Sequence, residues 1–211
     1  VATGQRRMLL DGPTVTARRT AAVSVLAAQR LAANTQGPLL IVGAGVQGRA
    51  HLEAFAEVLK ITEVLIASRG SASASALAQH AQSLGLRARV VQDANAALAT
   101  CPLVVTCTPA QSEVLGALPR HDGFIAAVGA FTPSMFELAP ALCLHMAAHG
   151  RVVVDTQDAL HEAGDLLLAG LVLFAWALRS LVVAPFSIPS GSMLPTMAIG
   201  DYLFVSKWPY G

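Results

Sequence analysis

The sequence predicts an α/β protein built on a doubly wound parallel sheet, followed by a membrane-spanning helix and a short β segment. Short apolar stretches alternate with helical stretches along residues 1–165, which is typical of strand–helix–strand units. These apolar stretches are continuous runs rather than alternating ones, as expected of strands that are covered on both faces. A longer apolar run begins near residue 166, and a segment rich in serine, glycine and proline follows it.

The individual elements are predicted from the apolar runs and from the turn residues between them. A turn at residues 11–13 opens a helix within residues 10–33, for which Thr14 or Thr16 is the expected N-cap. Three more helices are predicted, at 46–59, 73–84 and 134–149. Strands are predicted at 39–42, 63–68, 88–91, 103–106, 124–128 and 152–155. This alternation is the basis of the fold class.

Composition narrows the classes of function. The chain has 211 residues, of which 54% are apolar and 13% charged, with a net charge of +1. A nearly neutral chain without a basic stripe is not expected to bind nucleic acid. The three cysteines form no CxxC pair, so reduced core thiols are favoured over a disulfide framework. His145 and His149 lie one helical turn apart without a third ligand nearby, so no metal site is predicted.

A glycine-rich turn follows the first predicted strand, where residues 39–48 read LLIVGAGVQG. Gly43 allows a tight turn, Gly45 lets the backbone approach a pyrophosphate, and Gly48 permits close packing of helix on strand. The next helix offers its free N–H groups to the phosphates. The motif predicts a dinucleotide-binding domain of the Rossmann type, and a glycine turn that binds nothing is the alternative. The predicted cofactor-binding residues of this turn are Gly43, Ala44, Gly45, Val46, Gln47 and Gly48.

The residues after the second predicted strand indicate which dinucleotide is bound. A site that prefers NAD carries Asp or Glu there, to bind the ribose 2′-hydroxyl. Ser68 and Arg69 stand there instead. Because a hydroxyl and a guanidinium suit a 2′-phosphate, NADP(H) is the predicted cofactor.

Six segments resemble the ornithine cyclodeaminase/μ-crystallin family, and most closely its bacterial ketimine reductases. Over about residues 10–167 they read DGPTVTARRTAAVSVLAAQRLA, IVGAGVQGRAHLEAF, IASR, VVTCTPA, VGAFTPSMFEL and VVDTQDALHEAGDLL. The resemblance implies reduction of a small cyclic imino acid, Δ1-pyrroline-2-carboxylate or Δ1-piperideine-2-carboxylate, and a homodimer. It also implies that Arg19 binds the substrate carboxylate and that Thr106, Thr108 and Pro109 lie beside the nicotinamide. From the residues alone, Arg19 could equally be a solvated helix residue next to Arg18.

The chain departs from that family in two ways. Phe131 stands in the GAFTP segment where the deaminating branch has a catalytic aspartate, which favours reduction over cyclodeamination. The family's N-terminal substrate lobe, which carries a lysine, is not matched. Residues 1–36 are therefore expected to be a remnant of that lobe with its linking helix, and residues 37–165 the NADP-binding domain. Asp158, Glu162 and Asp165 are expected to form a solvated helix face, and His51 to be a packing or surface residue.

Residues 166–186 form an apolar run that is long enough to cross a hydrocarbon core of about 30 Å as a helix. Arg179 is its only charge and lies near its C-terminal end, where the side chain could reach the interface. A transmembrane helix is predicted, which makes the membrane an expected partner. The alternative is a buried core helix followed by a strand.

Residues 171–211 resemble the beginning of bacterial signal peptidase I, on the strength of SIPSGSMLPT followed by GDYLFVSK. The resemblance implies Ser192 as a nucleophile and Ser190 as an oxyanion donor. A serine nucleophile needs a base, which in that family is a lysine further downstream. Lys207 corresponds to a strand residue of the pattern, so residues 187–211 are an incomplete nucleophile segment.

The sequence is therefore compatible with three functions. The first is an NADP-dependent ketimine reductase, the second a membrane-bound signal peptidase without its lysine-bearing domain, and the third a catalytically inert fusion of two truncated proteins. The expected location is the bacterial inner membrane, with the N-terminal domain in the cytoplasm and the serine segment outside. If the apolar run does not span, the expected location is the cytoplasm.

Overall fold

The computed structural model describes residues 10–155, 159, 163–170 and 202–205. The helices in these residues are α1 (Gly12–Leu31), α2 (Val46–Leu59), α3 (Ser71–Ser83), α4 (Ala94–Leu98), α5 (Pro140–His149) and α6 (Gly164–Leu168). The strands are β1 (Leu39–Val42), β2 (Glu63–Ala67), β3 (Arg87–Val90), β4 (Leu103–Thr106), β5 (Gln111–Leu115), β6 (Phe124–Ala127), β7 (Phe136–Leu138), β8 (Arg151–Val154) and β9 (Tyr202–Val205).

The strands form the doubly wound sheet that the sequence predicts. The order in the larger sheet is β3-β2-β1-β4-β6-β9-β8, and β1, β2, β3, β4 and β6 run parallel. Because β1 lies between β2 and β4, the strand order reverses beside β1, and ligands of such sheets bind at this switch point. Strands β5 and β7 pair in parallel as a separate two-stranded sheet.

Both faces of the sheet are covered, which explains the continuous apolar strands. Alternate residues of β1 enter different cores: Leu40 packs with Leu142 and Met146 from α5, whereas Ile41 packs with Phe55 from α2. All of these side chains are at most 1% exposed. Each buried side chain of this size stabilises the fold by about 1.5–3 kcal/mol, so the two cores hold the sheet from both sides.

Helix α1 begins one turn earlier than the threonine caps predict. Its N-cap is Asp11, whose Oδ2 accepts a hydrogen bond from the Thr14 backbone N–H at 2.9 Å. The prediction of Thr14 or Thr16 as the cap is therefore wrong. Pro13 stands at the start of the helix, where its missing N–H costs nothing because that group has no partner within the helix.

The predicted helix over residues 134–149 is wrong in its first part. Residues 136–138 form β7, which pairs with β5, and α5 begins only at Pro140. Proline suits the first turn of a helix but not its interior, so Pro140 marks a helix start. The backbone N–H groups of Glu137 and Leu138 both donate to Asp165 Oδ1, at 2.7 and 2.8 Å, rather than to a helix ladder.

The predicted membrane-spanning helix begins differently from expectation. Helix α6 ends at Leu168, and Gly170 has a φ of +66°, which breaks the helix inside the predicted span. Among the residues that the structure describes, no helix is long and apolar enough to cross a membrane. The rest of the predicted span, residues 171–186, lies outside the described residues.

Strand β9 (Tyr202–Val205) belongs to the main sheet, although it lies far along the chain from the other strands. Its backbone pairs antiparallel with both β6 and β8. The prediction that the domain and the serine segment lie on opposite sides of a membrane conflicts with this pairing, because hydrogen-bonded neighbours in a sheet share one side. The predicted short β segment is present at Tyr202–Val205.

Candidate functional site

Two glycines of the turn after β1 are required by close packing. Gly43 has a φ of +113°, and its N–H donates to the Ala67 carbonyl at the end of β2 at 2.9 Å. A Cβ at Gly43 would lie 2.7 Å from the Cys107 carbonyl oxygen, and one at Gly48 would overlap the Gly43 carbonyl oxygen. A side chain at Gly43 would therefore clash with the loop after β4, and one at Gly48 would push α2 away from the glycine turn.

Gly45 differs from those two glycines because it faces open space. It is exposed, and a Cβ there would meet nothing within 4 Å. It is the N-cap of α2 and makes no side-chain cap hydrogen bond, so the first N–H groups of the helix have no side-chain cap. Backbone N–H groups at an open helix N-terminus suit the oxygens of a phosphate.

Ser68 and Arg69 lie beside this turn, at the carboxyl end of β2. The parallel register pairs Val42 with Ala67, so the residue after each strand lies at the same edge of the sheet. Arg69 is exposed, and Ser68 Oγ lies 3.4 Å from Ser73 Oγ in the first turn of α3. In the described residues no acidic side chain occupies the end of β2, where an NAD-preferring site would carry one.

A pocket of about 410 Å³ lies at the switch point, next to the glycine turn. It brings together several predicted site residues from α1, α2 and the loop after β4, namely Arg19, Gln47, Thr108 and Pro109. The other lining residues are Thr16, Thr20, Cys107, Val128, Gly129 and Phe131. Phe131, at the position where the resemblance implies an aspartate in deaminating enzymes, lines the pocket with an apolar ring that is 60% exposed. The guanidinium of Arg19 and the hydroxyl of Thr108 line the same pocket, and together they can bind and orient a small planar carboxylate.

A buried carboxylate that the sequence does not predict binds two of the residues that line the pocket. Glu137 is 0% exposed, yet its two oxygens accept four hydrogen bonds. Oε1 accepts from the Thr108 backbone N–H at 2.6 Å and from its hydroxyl at 2.7 Å. Oε2 accepts from the Thr106 hydroxyl and from the Gly129 N–H, both at 2.8 Å. Burial raises the pKa of Glu137 to about 7, and the four donors oppose this rise.

These contacts change the expected role of Thr106. It is fully buried, with its hydroxyl bonded to Glu137, so it does not line the pocket. Thr108 and Pro109 do line it. Thr106 therefore lies behind the loop that follows β4, and the expectation that it contacts the cofactor does not fit its burial.

Asp165 corrects a second expectation. It is 1% exposed rather than part of a solvated helix face, and burial raises the pKa of its carboxyl. Its Oδ1 holds the β7 backbone as described above, and Gly164 lies so close to the loop before β7 that a Cβ would overlap the Met135 carbonyl oxygen. A single signal could have indicated both carboxylates: each stands in an otherwise apolar stretch, MFEL and GDLLL.

His51 is a packing residue, which is one of the two roles expected for it. It is 0% exposed, and its Nδ1 lies 2.8 Å from the Gln47 carbonyl oxygen. Its Nε2 lies 3.0 Å from Ser24 Oγ on α1. Burial lowers the pKa of His51 to about 4, so the ring is neutral at physiological pH. This contact joins the helix that carries Arg19 to the helix that carries the glycine turn.

The remaining candidates lie away from the pocket or outside the described residues. The rings of His145 and His149 stack at 4.4 Å between centroids, and in the described part of the chain no three potential ligands cluster as a metal site. All three cysteines are free. Ser190 and Ser192, the predicted oxyanion donor and nucleophile, lie outside the residues that the structure describes.

Comparisons with known proteins agree with this fold. The sequence model of the Ornithine cyclodeaminase/mu-crystallin family matches residues 1–184, and that of Signal peptidase, peptidase S26 matches residues 163–211. The chain is 36% identical over 170 residues to Delta(1)-pyrroline-2-carboxylate reductase 2 of Burkholderia ambifaria, covering 79% of this chain and 52% of that protein. The chain thus spans about half the length of this curated relative.

Two solved structures share the fold. Delta(1)-pyrroline-2-carboxylate reductase of Thermococcus litoralis, in complex with NADH and L-proline, matches with a TM-score of 0.72 and 28% identity, over 80% of this chain and 52% of that one. An archaeal alanine dehydrogenase dimer with bound NAD matches with a TM-score of 0.68 and 26% identity, over 80% and 51%. Since the family model covers most of the sequence, the chain belongs to the ornithine cyclodeaminase/mu-crystallin family.

Proposed function

We propose that the chain carries the cofactor domain of a reductase that transfers a hydride from NADPH to the C=N carbon of a cyclic imino acid. Δ1-Pyrroline-2-carboxylate or Δ1-piperideine-2-carboxylate is the proposed substrate class. The observation that carries the proposal is the shared pocket: Arg19 and Thr108 line one cavity beside the glycine turn. The similarity to reductases of this class supports it.

The residues have distinct proposed roles. The backbone around Gly45 binds the pyrophosphate, and Ser68 with Arg69 binds the 2′-phosphate. Arg19 binds the substrate carboxylate through its planar fork, which holds the flat imino acid against the hydride donor. Thr108 and Pro109 lie beside the nicotinamide, which supplies the hydride when bound. Phe131 closes the pocket without an acidic group, which favours reduction over deamination.

The proposal includes NADPH rather than NADH because of the residues at the end of β2. The two structural neighbours contain NADH and NAD, so the 2′-phosphate preference rests on Ser68 and Arg69 alone. A homodimer is also proposed, since one of these neighbours is a dimer. No second function is proposed from the match of residues 163–211 to signal peptidase, because no observation in the described residues bears on Ser190 and Ser192.

A matched pair of arginine variants tests this function. The full chain is mixed with NADPH and Δ1-pyrroline-2-carboxylate, and both NADPH oxidation and proline formation are measured. Arg19→Leu is expected to raise KM for the imino acid by about tenfold or more, because the carboxylate loses a charged partner. Arg18→Leu, one residue away and exposed, is the control and should leave KM unchanged. Equal effects of the two variants, or no turnover by the wild type, would contradict the proposal.

A further inference from the structure

We propose that Glu137 is a positioning residue, whose carboxylate holds the two walls of the pocket at the separation that the nicotinamide half of the cofactor requires. This inference rests on the proposed function. Glu137 is 0% exposed and is not among the residues that line the pocket, so it cannot touch a ligand. It acts through Thr108 and Gly129, which do line the pocket.

The geometry joins two segments that are far apart in sequence. Thr108 follows β4 and Gly129 follows β6, and these neighbouring parallel strands end at the same edge of the sheet. Glu137 Oε1 binds the first segment and Oε2 the second, at distances of 2.6–2.8 Å. A single carboxylate therefore sets the separation of the two loops. A Cβ at Gly129 would overlap the Thr108 carbonyl oxygen, so the segments are already in close contact.

The site demands a carboxylate with both oxygens as acceptors. A backbone N–H points at each oxygen, from Thr108 on one side and from Gly129 on the other. A glutamine at position 137 would set its NH₂ group against one of these N–H groups in either orientation, since an amide NH₂ can only donate. An apolar side chain would leave both N–H groups without this partner. Burying a carboxylate is costly, so simple packing does not account for it.

Strand β7, which carries Glu137, is itself held by hydrogen bonds to a second buried carboxylate, that of Asp165. Asp165 Oδ1 accepts from the backbone N–H groups of Glu137 and Leu138. The position of the Glu137 carboxylate is thus determined by α6 on one side and by the four donors on the other. Such double support is what preorganises a binding loop before its ligand arrives.

The test compares two ligands that differ in the nicotinamide. Dissociation constants of the full chain are measured for NADPH and for adenosine 2′,5′-bisphosphate, which has the adenosine and 2′-phosphate but no nicotinamide. Glu137→Gln is expected to weaken NADPH binding by about tenfold or more and to change fragment binding by less than about twofold. Glu57→Gln, the same change at an exposed position of α2, is the control and should alter neither.

The outcomes separate positioning from general destabilisation. Unchanged NADPH affinity in Glu137→Gln, or an equal loss for both ligands in a variant that still unfolds cooperatively, would overturn the positioning role alone. A wild type that binds neither ligand would overturn the proposed function and this inference together.

A second variant decides the question if Glu137→Gln does not fold. Thr106→Val keeps the shape of a fully buried side chain and removes one of the four donors. It is expected to weaken NADPH binding by about threefold, with fragment binding unchanged, because the carboxylate loses part of its restraint. Unchanged NADPH affinity in this variant would overturn the positioning role.

Discussion

At the scale of single residues, a substitution at Gly45 is expected to change cofactor binding without changing stability. Because a Cβ there meets no protein atom, Gly45→Ala is expected to leave the melting temperature unchanged. The added methyl occupies the space proposed for the pyrophosphate, so NADPH affinity should fall by about tenfold, as measured by fluorescence titration. Gly12→Ala is the matched control, since a Cβ there also meets nothing within 4 Å. Gly48→Ala should instead lower the melting temperature, and a stable Gly48→Ala would contradict the packing described.

His51 makes stability depend on pH. The Gln47 carbonyl can only accept, so Nδ1 carries the proton, and in the neutral ring Nε2 accepts from the Ser24 hydroxyl. That hydroxyl also lies 3.2 Å from the Thr20 carbonyl oxygen, and its single proton cannot serve both acceptors. The tautomer thus assigns the Ser24 proton to His51 rather than to the helix backbone.

The sign of this pH dependence follows from the lowered pKa. His51 has a pKa of about 4 in the fold against an ordinary value of 6.5, so between these values the unfolded chain binds the extra proton. The free energy of unfolding therefore falls as pH falls through this window, by about 1.4 kcal/mol per pH unit. Urea unfolding at several pH values measures how the free energy of unfolding depends on pH. In a Ser24→Ala/His51→Leu double variant, this dependence should be weaker by about 1.4 kcal/mol per pH unit in the same window. Identical slopes in both proteins would contradict a buried neutral His51.

The sequence predicts the residues whose roles are local. The glycine turn is a motif of adjacent residues, so Gly43 has the turn conformation and Gly48 the close packing that their spacing indicates. Glu137 and Asp165 could not be predicted in the same way, because their partners are distant in the chain. Glu137 lies 31 residues from Thr106, and Asp165 lies 27 residues from Leu138. The apolar residues next to each carboxylate indicate burial, but a local window does not show which groups the carboxylate binds.

At the scale of elements, the Asp165 side chain joins α6 to β7. Two substitutions show whether β7 is held by the hydrogen-bond acceptor of Asp165 or by its negative charge. Asp165→Ala leaves two buried backbone N–H groups without this acceptor, which should lower the free energy of unfolding by about 2–4 kcal/mol. Asp165→Asn keeps one acceptor oxygen for both groups and removes a buried charge, so it should lose less than half as much. Urea unfolding of the two variants measures the difference. Equal losses would show that the charge, not the acceptor, holds β7.

The accuracy of the predicted elements follows the strength of their local pattern. Strands β1, β4 and β6 are fully buried apolar runs, and their predicted bounds agree with the structure to within one residue. Strand β7 has only three residues and exists through its pairing with β5. The apolar residues around it fit a helical pattern equally well, so the sequence could not distinguish the two.

At the scale of the whole molecule, the domain proposed to bind NADPH is continuous with the segments on either side of it. Helix α1 packs on α2 through the contact of Ser24 with His51. Strand β9 lies between β6 and β8 in the main sheet. The predicted division at residues 36 and 165 therefore separates segments that pack together. No local pattern in the sequence indicates the pairing of β9, because its partners are distant in the chain.

Cofactor binding is tested by titrating the full chain with NADPH and with NADH while following nicotinamide fluorescence. We expect NADPH to bind more tightly than NADH. Arg69→Ala should weaken NADPH binding by about tenfold while changing NADH binding little, because only NADPH carries the 2′-phosphate. Arg30→Ala, an exposed arginine in the last turn of α1, is the control and should change neither. Binding of neither dinucleotide would contradict a functional cofactor site, and an equal effect of Arg69→Ala on both would contradict the 2′-phosphate assignment.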